Sequence, residues 1–214
     1  VGIALDERAW FNPGLVSRHY NVPAVAGGIV FLMCLLLTAL AVVRERELGT
    51  LEQLMVSPLR PFELIAGKTL PFVAIGLIDV LLVTAAALWW FEVPFAGSFA
   101  LLLGASLLYI VCGLGIGLLV STISRSQQEA FLTSFLIFMP TILLSGLMFP
   151  ISSMPTFFQG LTLVNPMRHD LEIVRGVFLK GTGVAALWPQ IAALAAIGAL
   201  MLGAAVARFR KRLD

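Results

Sequence analysis

Charge is what this sequence has least of. Only 12% of its 214 residues are Asp, Glu, Lys or Arg, about half the share a soluble domain carries. A fully water-exposed surface cannot be built from so few. Histidine and cysteine are scarce too, with two of each. His19 and His169 lie in different polar segments, and Cys34 and Cys112 lie inside separate apolar blocks. No metal site is therefore expected, because no set of His, Cys and acids has ligand spacing. A disulfide is not expected either, and the two thiols read as packing residues. A net charge of +2 is too small for a nucleic-acid binder. An intramembrane protease needs paired acids, a Ser–His pair or a metal, whereas the apolar blocks hold one acid, Asp79, and no histidine.

What is abundant is apolar: 59% of the chain. About 20 consecutive apolar residues suffice to cross a bilayer. Five blocks reach that length: 22–43, 70–91, 99–120, 130–149 and 186–207. None alternates, so none reads as a strand, and inside lipid every backbone polar group must be satisfied within the segment. The fold class expected is therefore all-α, a polytopic membrane helical bundle with five transmembrane helices in this stretch.

Lys and Arg set the direction, because they collect on the cytoplasmic side. Arg44, Arg46, Arg60 and Lys68 follow the first block, Arg125 the third, and Arg208, Arg210, Lys211 and Arg212 the fifth. The opposite side carries Arg8, Arg18, Arg168, Arg175 and Lys180, so the balance is nine against five. The reading is a multi-pass cell (inner) membrane protein with a cytoplasmic C-terminus. Residues 1–21 then form the end of an extracytoplasmic segment, and 22–214 the transmembrane domain. Val1 to Asn21 has no basic start followed by an apolar run, so it does not read as a signal peptide. An outside start without one predicts a further span upstream.

The loop at 44–60 is the most informative stretch. Leu48, Leu51, Leu54 and Met55 recur at helical spacing, with charges mostly on the other side, which predicts a short amphipathic helix ended by Pro58. Pro61 suits the first turn of the next helix. One reading is an interfacial helix in the headgroups; the other is a docking helix for a cytoplasmic partner. The mixed charge, with Glu45, Glu47, Glu52 and Glu63 among the basic residues, favours docking. On the other side, residues 150–180 are too polar to span yet carry Met154, Phe157, Phe158, Leu161, Ile173, Val174 and Phe178, punctuated by Pro150, Pro155 and Pro166. Two short helices that dip into or lie on the outer surface are expected there.

Other motifs carry less. Gly67-Lys68-Thr69 resembles the end of a phosphate-binding loop, but Phe62 stands where that motif needs its first glycine. Asp79, near the middle of the second span, reads either as a polar point in a substrate path or proton-linked site, or as a carboxyl that joins helices by hydrogen bonding. Gly113 and Gly117 make a small-xxx-small pair, within the bundle or between protomers. Trp89, Trp90 and Trp188 fit an interfacial aromatic belt.

Taken together, Glu45-Arg46-Glu47, Gly49-Thr50, Glu52-Gln53-Leu54 and Ser57-Pro58 resemble the first cytoplasmic loop of type-2 ABC transporter permeases. So do Leu144-Ser145-Gly146-Leu147-Met148-Phe149-Pro150-Ile151 with Met154-Pro155, and Asn165-Pro166 followed by Arg175-Gly176-Val177-Phe178-Leu179-Lys180-Gly181. The likeness runs from Trp10 to Lys211 and is greatest to the bacterial drug-export subgroup. It implies six spans in the full chain, with the first span and most of an extracytoplasmic domain preceding Val1. It also implies a permease dimer, homo- or heterodimeric, with two cytoplasmic ATPase subunits beneath it. ATP and Mg would be bound by those subunits, and no cofactor by this chain, which would not itself be an enzyme. The coupling helix maps onto Arg44, Glu45, Arg46, Glu47, Gly49, Thr50, Glu52, Gln53 and Leu54. An outer re-entrant region maps onto Ser145, Gly146, Phe149, Pro150, Met154, Pro155, Asn165, Pro166 and Arg175. His169-Asp170 departs from the family pattern and is given no family role. The function implied is export of drug-like or amphiphilic substrates. Lipid or glycan export on the same architecture, or a non-transporting assembly subunit, are the alternatives.

Overall fold

The computed structural model describes the backbone of residues 17–49 and 61–210, and the side chains of 21–49 and 67–208. The described residues are mostly helical, with no strand among them. In chain order the helices are α1 (Ser17–Glu47), α2 (Pro61–Trp89), α3 (Phe99–Ile123), α4 (Gln127–Leu143), α5 (Thr156–Leu161), α6 (Pro166–Arg175) and α7 (Val184–Arg210). Segments Asn21–Glu47, Gly67–Trp89, Phe99–Ile123 and Val184–Arg208 are each long and apolar enough to cross a membrane. At 1.5 Å per residue, even the 23-residue Gly67–Trp89 extends about 34 Å, more than the ~30 Å hydrocarbon core.

The fourth expected span differs. Its apolar run continues to Phe149, but α4 stops at Leu143, after 17 residues or about 26 Å. The cause is local. Pro140 lies in the last turn, and Gly146 has φ 84°, a left-handed conformation that suits a residue without Cβ. Ser145 holds the turn, its Oγ donating to Ile142 O at 2.7 Å and accepting from Leu147 N at 3.1 Å. Apolar composition specifies burial in lipid or core; it does not force a helix through a glycine turn. At its other end α4 is capped as its sequence suggests. Ser126 accepts from Glu129 N, and Glu129 accepts from Arg125 N at 2.7 Å, a variant of the capping box.

The bundle is organised around α1 and α3. Helix α3 packs most extensively on α7 and α1, and α1 also touches α2, α4 and α6. The small-residue pair explains the closeness. A Cβ on Gly117 would lie 2.7 Å from Leu35 O and 3.0 Å from Thr38 Cβ, and one on Gly113 would lie 3.2 Å from Cys34 Cβ. This face is therefore used inside the chain, between α3 and α1. Phe31 and Tyr109 stack at 5.5 Å, and Tyr109 donates to Gly27 O at 3.1 Å.

Between α4 and α7 lie the two short helices expected in this stretch, but α6 does not lie on a surface. It is wedged against α1, α3 and α7, with Met167, Leu171, Ile173 and Val177 fully buried around it. Residues Gly176–Lys180 form a π-helical turn. The loop after α2 rests on that turn through Ala96 N to Phe178 O at 3.0 Å and an edge-on Phe95–Phe178 contact. Trp89, Trp90 and Trp188 lie at this end of α2 and α7 and are mostly exposed.

Candidate functional site

The chain directions place the end of α1, the start of α2, the α3–α4 turn and the end of α7 together, at the end of the bundle rich in Arg and Lys. Here the sequence-predicted coupling residues divide. Arg44, Glu45, Arg46 and Glu47 form the last turn of α1 rather than the start of a separate helix. A turn at Leu48 and Gly49, the latter with φ 71°, then ends the helix. Thr50, Glu52, Gln53 and Leu54 lie outside the described residues.

That last turn joins three elements. Glu45 forms an ion pair with Lys68 on α2. Arg46 donates through Nη1 to Ser124 O at 2.8 Å, at the C-cap of α3. Glu47 accepts from Gln127 N at 2.9 Å and from Gln127 Nε2, at the first residue of α4. Arg44 is exposed. Helices α2, α3 and α4 are thus each fastened to one turn of α1, immediately before the loop at 50–60. Ser124 and Gln127 were not singled out from the sequence, and Lys68 stood out only as a basic residue and in the discounted Gly67-Lys68-Thr69 triplet. Helical spacing relates residues within one helix, whereas these three meet α1 from others.

At the opposite end, the re-entrant residues come together in part. Asn165 caps α6, accepting from Met167 N at 3.0 Å, and donates through Nδ2 to Thr141 O at 2.7 Å on α4. Pro166 takes the first position of α6, where its missing N–H costs nothing. Arg175 donates to Gly146 O. Ser145 is buried. Asn165 and Arg175 therefore tie α6 to the last turn of α4 and to the glycine turn after it. Phe149, Pro150 and Pro155 are exposed and Met154 is half-buried, with Pro150 and Pro155 standing as the caps before Ile151–Ser153 and α5.

Asp170 had no assigned role and proves to be the most deeply placed acid among the described residues, 2% exposed on α6. Its carboxyl faces α1, with Oδ2 2.7 Å from where a Cβ on Gly27 would sit. It borders a cavity of about 40 Å³ that Thr84, Ser106 and Tyr109 also line, room for one or a few waters. Burial pushes the Asp170 carboxyl up to about 8, so it is neutral near pH 7. The sequence signal was present: an acid on the apolar side of a short helix. His169, beside it, is held by Leu163 O at 2.9 Å.

Asp79 lies mid-way along α2 and faces α1. It makes no hydrogen bond or ion pair to another described residue, and its Oδ2 is buried without a partner. The helix-joining reading of this carboxyl therefore finds no partner among the described residues. Nor do these residues include a group of three His, Cys, Asp or Glu placed to hold a metal ion.

A family signature described as ABC-2 type transporter matches residues 9–179. The chain is 37% identical over 206 residues to an Escherichia coli K12 protein named probable multidrug ABC transporter permease YbhR, covering 96% of this chain and 56% of that protein. It is 33% identical to the probable multidrug ABC transporter permease YbhS of the same organism, over 99% of this chain and 56% of the relative. To the inner membrane transport permease YhhJ it is 34% identical, over 99% and 57%. The chain thus spans about half the length of the curated relatives it matches. The signature's range runs from α1 to α6, including the clamp at the basic end and the wedged helix at the other, and the chain belongs to the ABC-2 type transporter family.

Proposed function

We propose that this chain is the membrane-spanning part of an ATP-driven exporter permease that moves drug-like, amphiphilic compounds out of the cell. ATP and Mg are bound and ATP is hydrolysed on separate cytoplasmic subunits. The observation that carries the reading is the clamp at the end of α1. A rigid last turn holds α2 through Glu45–Lys68, α3 through Arg46–Ser124 and α4 through Glu47–Gln127. A displacement of the loop at 50–60 by a partner would therefore move four helices together instead of bending one. In this reading the loop docks on the ATPase, with Glu52, Gln53 and Leu54 in contact and the Arg44–Glu47 turn as the lever. The basic end is cytoplasmic, two permease protomers pair, and substrate passes between them and leaves past the α5–α6 region. The work comes from differential contact of the loop with two states of the ATPase.

Drug-like substrates fit better than glycans, because the described spans expose Leu, Ile, Val, Phe and Met rather than polar side chains. The names of the similar permeases point the same way. The test is co-purification of the full-length protein with the ATPase encoded beside it, and ATPase activity in lipid, for the native loop and for Glu47→Lys with Glu52→Lys. The expected result is a complex whose substrate-stimulated hydrolysis and export are lost in the double reversal while the bundle stays folded. Normal export by the reversed protein would overturn the docking role. A folded protein that binds no ATPase would overturn the exporter.

A further inference from the structure

The clamp and the wedged helix leave one intramembrane feature unused: the groove between α1 and α2. It is a cavity of about 150 Å³ walled by Met33, Leu37, Phe72, Ile75, Ile78 and Leu82, and it contains Asp79. Met33, Ile78 and Leu82 are each more than 40% exposed, so its mouth opens on the outer face of the bundle. Among the described residues Asp79 is its one charged group. Lys68, the basic residue nearest in sequence on α2, is already paired with Glu45. Asp79 is also 12 residues into the Gly67–Trp89 span, about 18 Å along the helix and close to the bilayer middle. An acid at that depth is costly unless something compensates it, and such residues mark ligand or ion pathways.

We propose that the α1–α2 groove is a binding site for lipophilic cations, with Asp79 as the counter-charge and the apolar walls taking an aryl or alkyl arm. The size matches: an apolar cavity of roughly 150 Å³ accommodates a benzene ring, while the open mouth leaves the remainder of the molecule in the bilayer or against a neighbouring helix. The charge matches as well. The Asp79 carboxylate has an oxygen without a hydrogen-bond partner, and a quaternary centre, which has no N–H to donate, needs only proximity to it. Apart from the Cys34 thiol, a weak donor, the walls supply no second polar group to orient a sugar or a peptide. That this cation is an export substrate rests on the exporter reading above; its binding does not.

Tetraphenylphosphonium and tetraphenylborate are a matched pair of opposite charge, each presenting single phenyl arms. Their binding to the full-length protein in lipid nanodiscs, without ATP, would be measured against protein-free nanodiscs. The native protein is expected to bind the cation at least about tenfold more tightly than the anion, and Asp79→Asn to abolish that preference. Asp79→Glu, which keeps the carboxylate, should retain most of it. A photoactivatable aryl phosphonium on the native protein should label peptides containing Met33–Leu37 or Phe72–Leu82, a readout that needs no variant to fold. Equal affinity for the two ions, an unchanged preference in Asp79→Asn, or label confined to other helices would each overturn the site. Retained cation binding with no export would leave the groove standing and overturn the transport reading alone.

Discussion

Replacing Asp170 with Asn should remove a loss of stability that develops as pH rises from about 4 to about 8, and the size of the effect follows from where the carboxyl sits. Asp170 is buried on α6 against Gly27 of α1, with Tyr109, Ser106 and Thr84 around a cavity of water size. Among the described residues no cation pairs with it: on its own helix Arg168 binds Glu172 and Thr162, and His169 binds Leu163 O. Its carboxyl is pushed up to about 8 by burial, against about 3.9 in an unfolded chain. The folded state therefore retains a proton that the unfolded state releases. Stability is full below pH 4, falls as pH rises from 4 to 8, and levels off above. From pH 5 to 8, three units at about 1.4 kcal/mol per unit, the loss is of the order of 4 kcal/mol. For a domain of this size that corresponds to roughly 10 °C in unfolding midpoint. Asn keeps the shape without the charge. The assay is tryptophan-monitored thermal unfolding of the full-length protein in nanodiscs from pH 5 to 9. The native midpoint should fall relative to Asp170→Asn as pH rises, and the two should converge toward pH 4. Parallel curves would refute the reasoning, since they would mean that the carboxyl is solvated or paired.

Three further predictions concern packing and the two fastened ends. Gly117→Leu must push α1 and α3 apart, because its Cβ would meet Leu35 backbone. It should cost about 1–3 kcal/mol by thermal unfolding, whereas Gly104→Ala, where nothing lies within 4 Å, should be near neutral. Arg46→Ala removes a charged donor from Ser124 O and should cost about 1.5–3 kcal/mol. If the clamp transmits motion, this variant should also lower export more than ATPase binding, as measured by dye efflux and co-purification. Asn165→Asp keeps the cap on Met167 N but loses the donor to Thr141 O, while Asn165→Ala loses both. Unfolding midpoints should therefore rank native, then Asp, then Ala, with the cap itself contributing about 1 kcal/mol.

The spans were legible because lipid imposes a one-dimensional rule: about 20 apolar residues in line, with helical bonding inside the segment. Four of the five expected blocks matched the described helices to within a few residues. The remaining block, the fourth at 130–149, was misjudged at its end because hydropathy does not register that Gly146 turns the chain. The short helices at 150–180 were also legible, from the prolines that punctuate them. Their placement was not. The sequence shows that α6 has an apolar side, but not that this side fits between α1, α3 and α7 and carries Asp170 inward.

By itself, then, the sequence determined an all-helical membrane bundle, its element order and its asymmetry of basic residues. These follow from local composition and from the bilayer as solvent. The tertiary structure alone decided that Gly113 and Gly117 face α1 within the chain, that Glu45, Arg46 and Glu47 fasten three other helices, and that Asp79 opens on a groove without a partner. Each of these depends on which residues of distant segments come within a few ångströms, and helical periodicity carries no information about distances between helices.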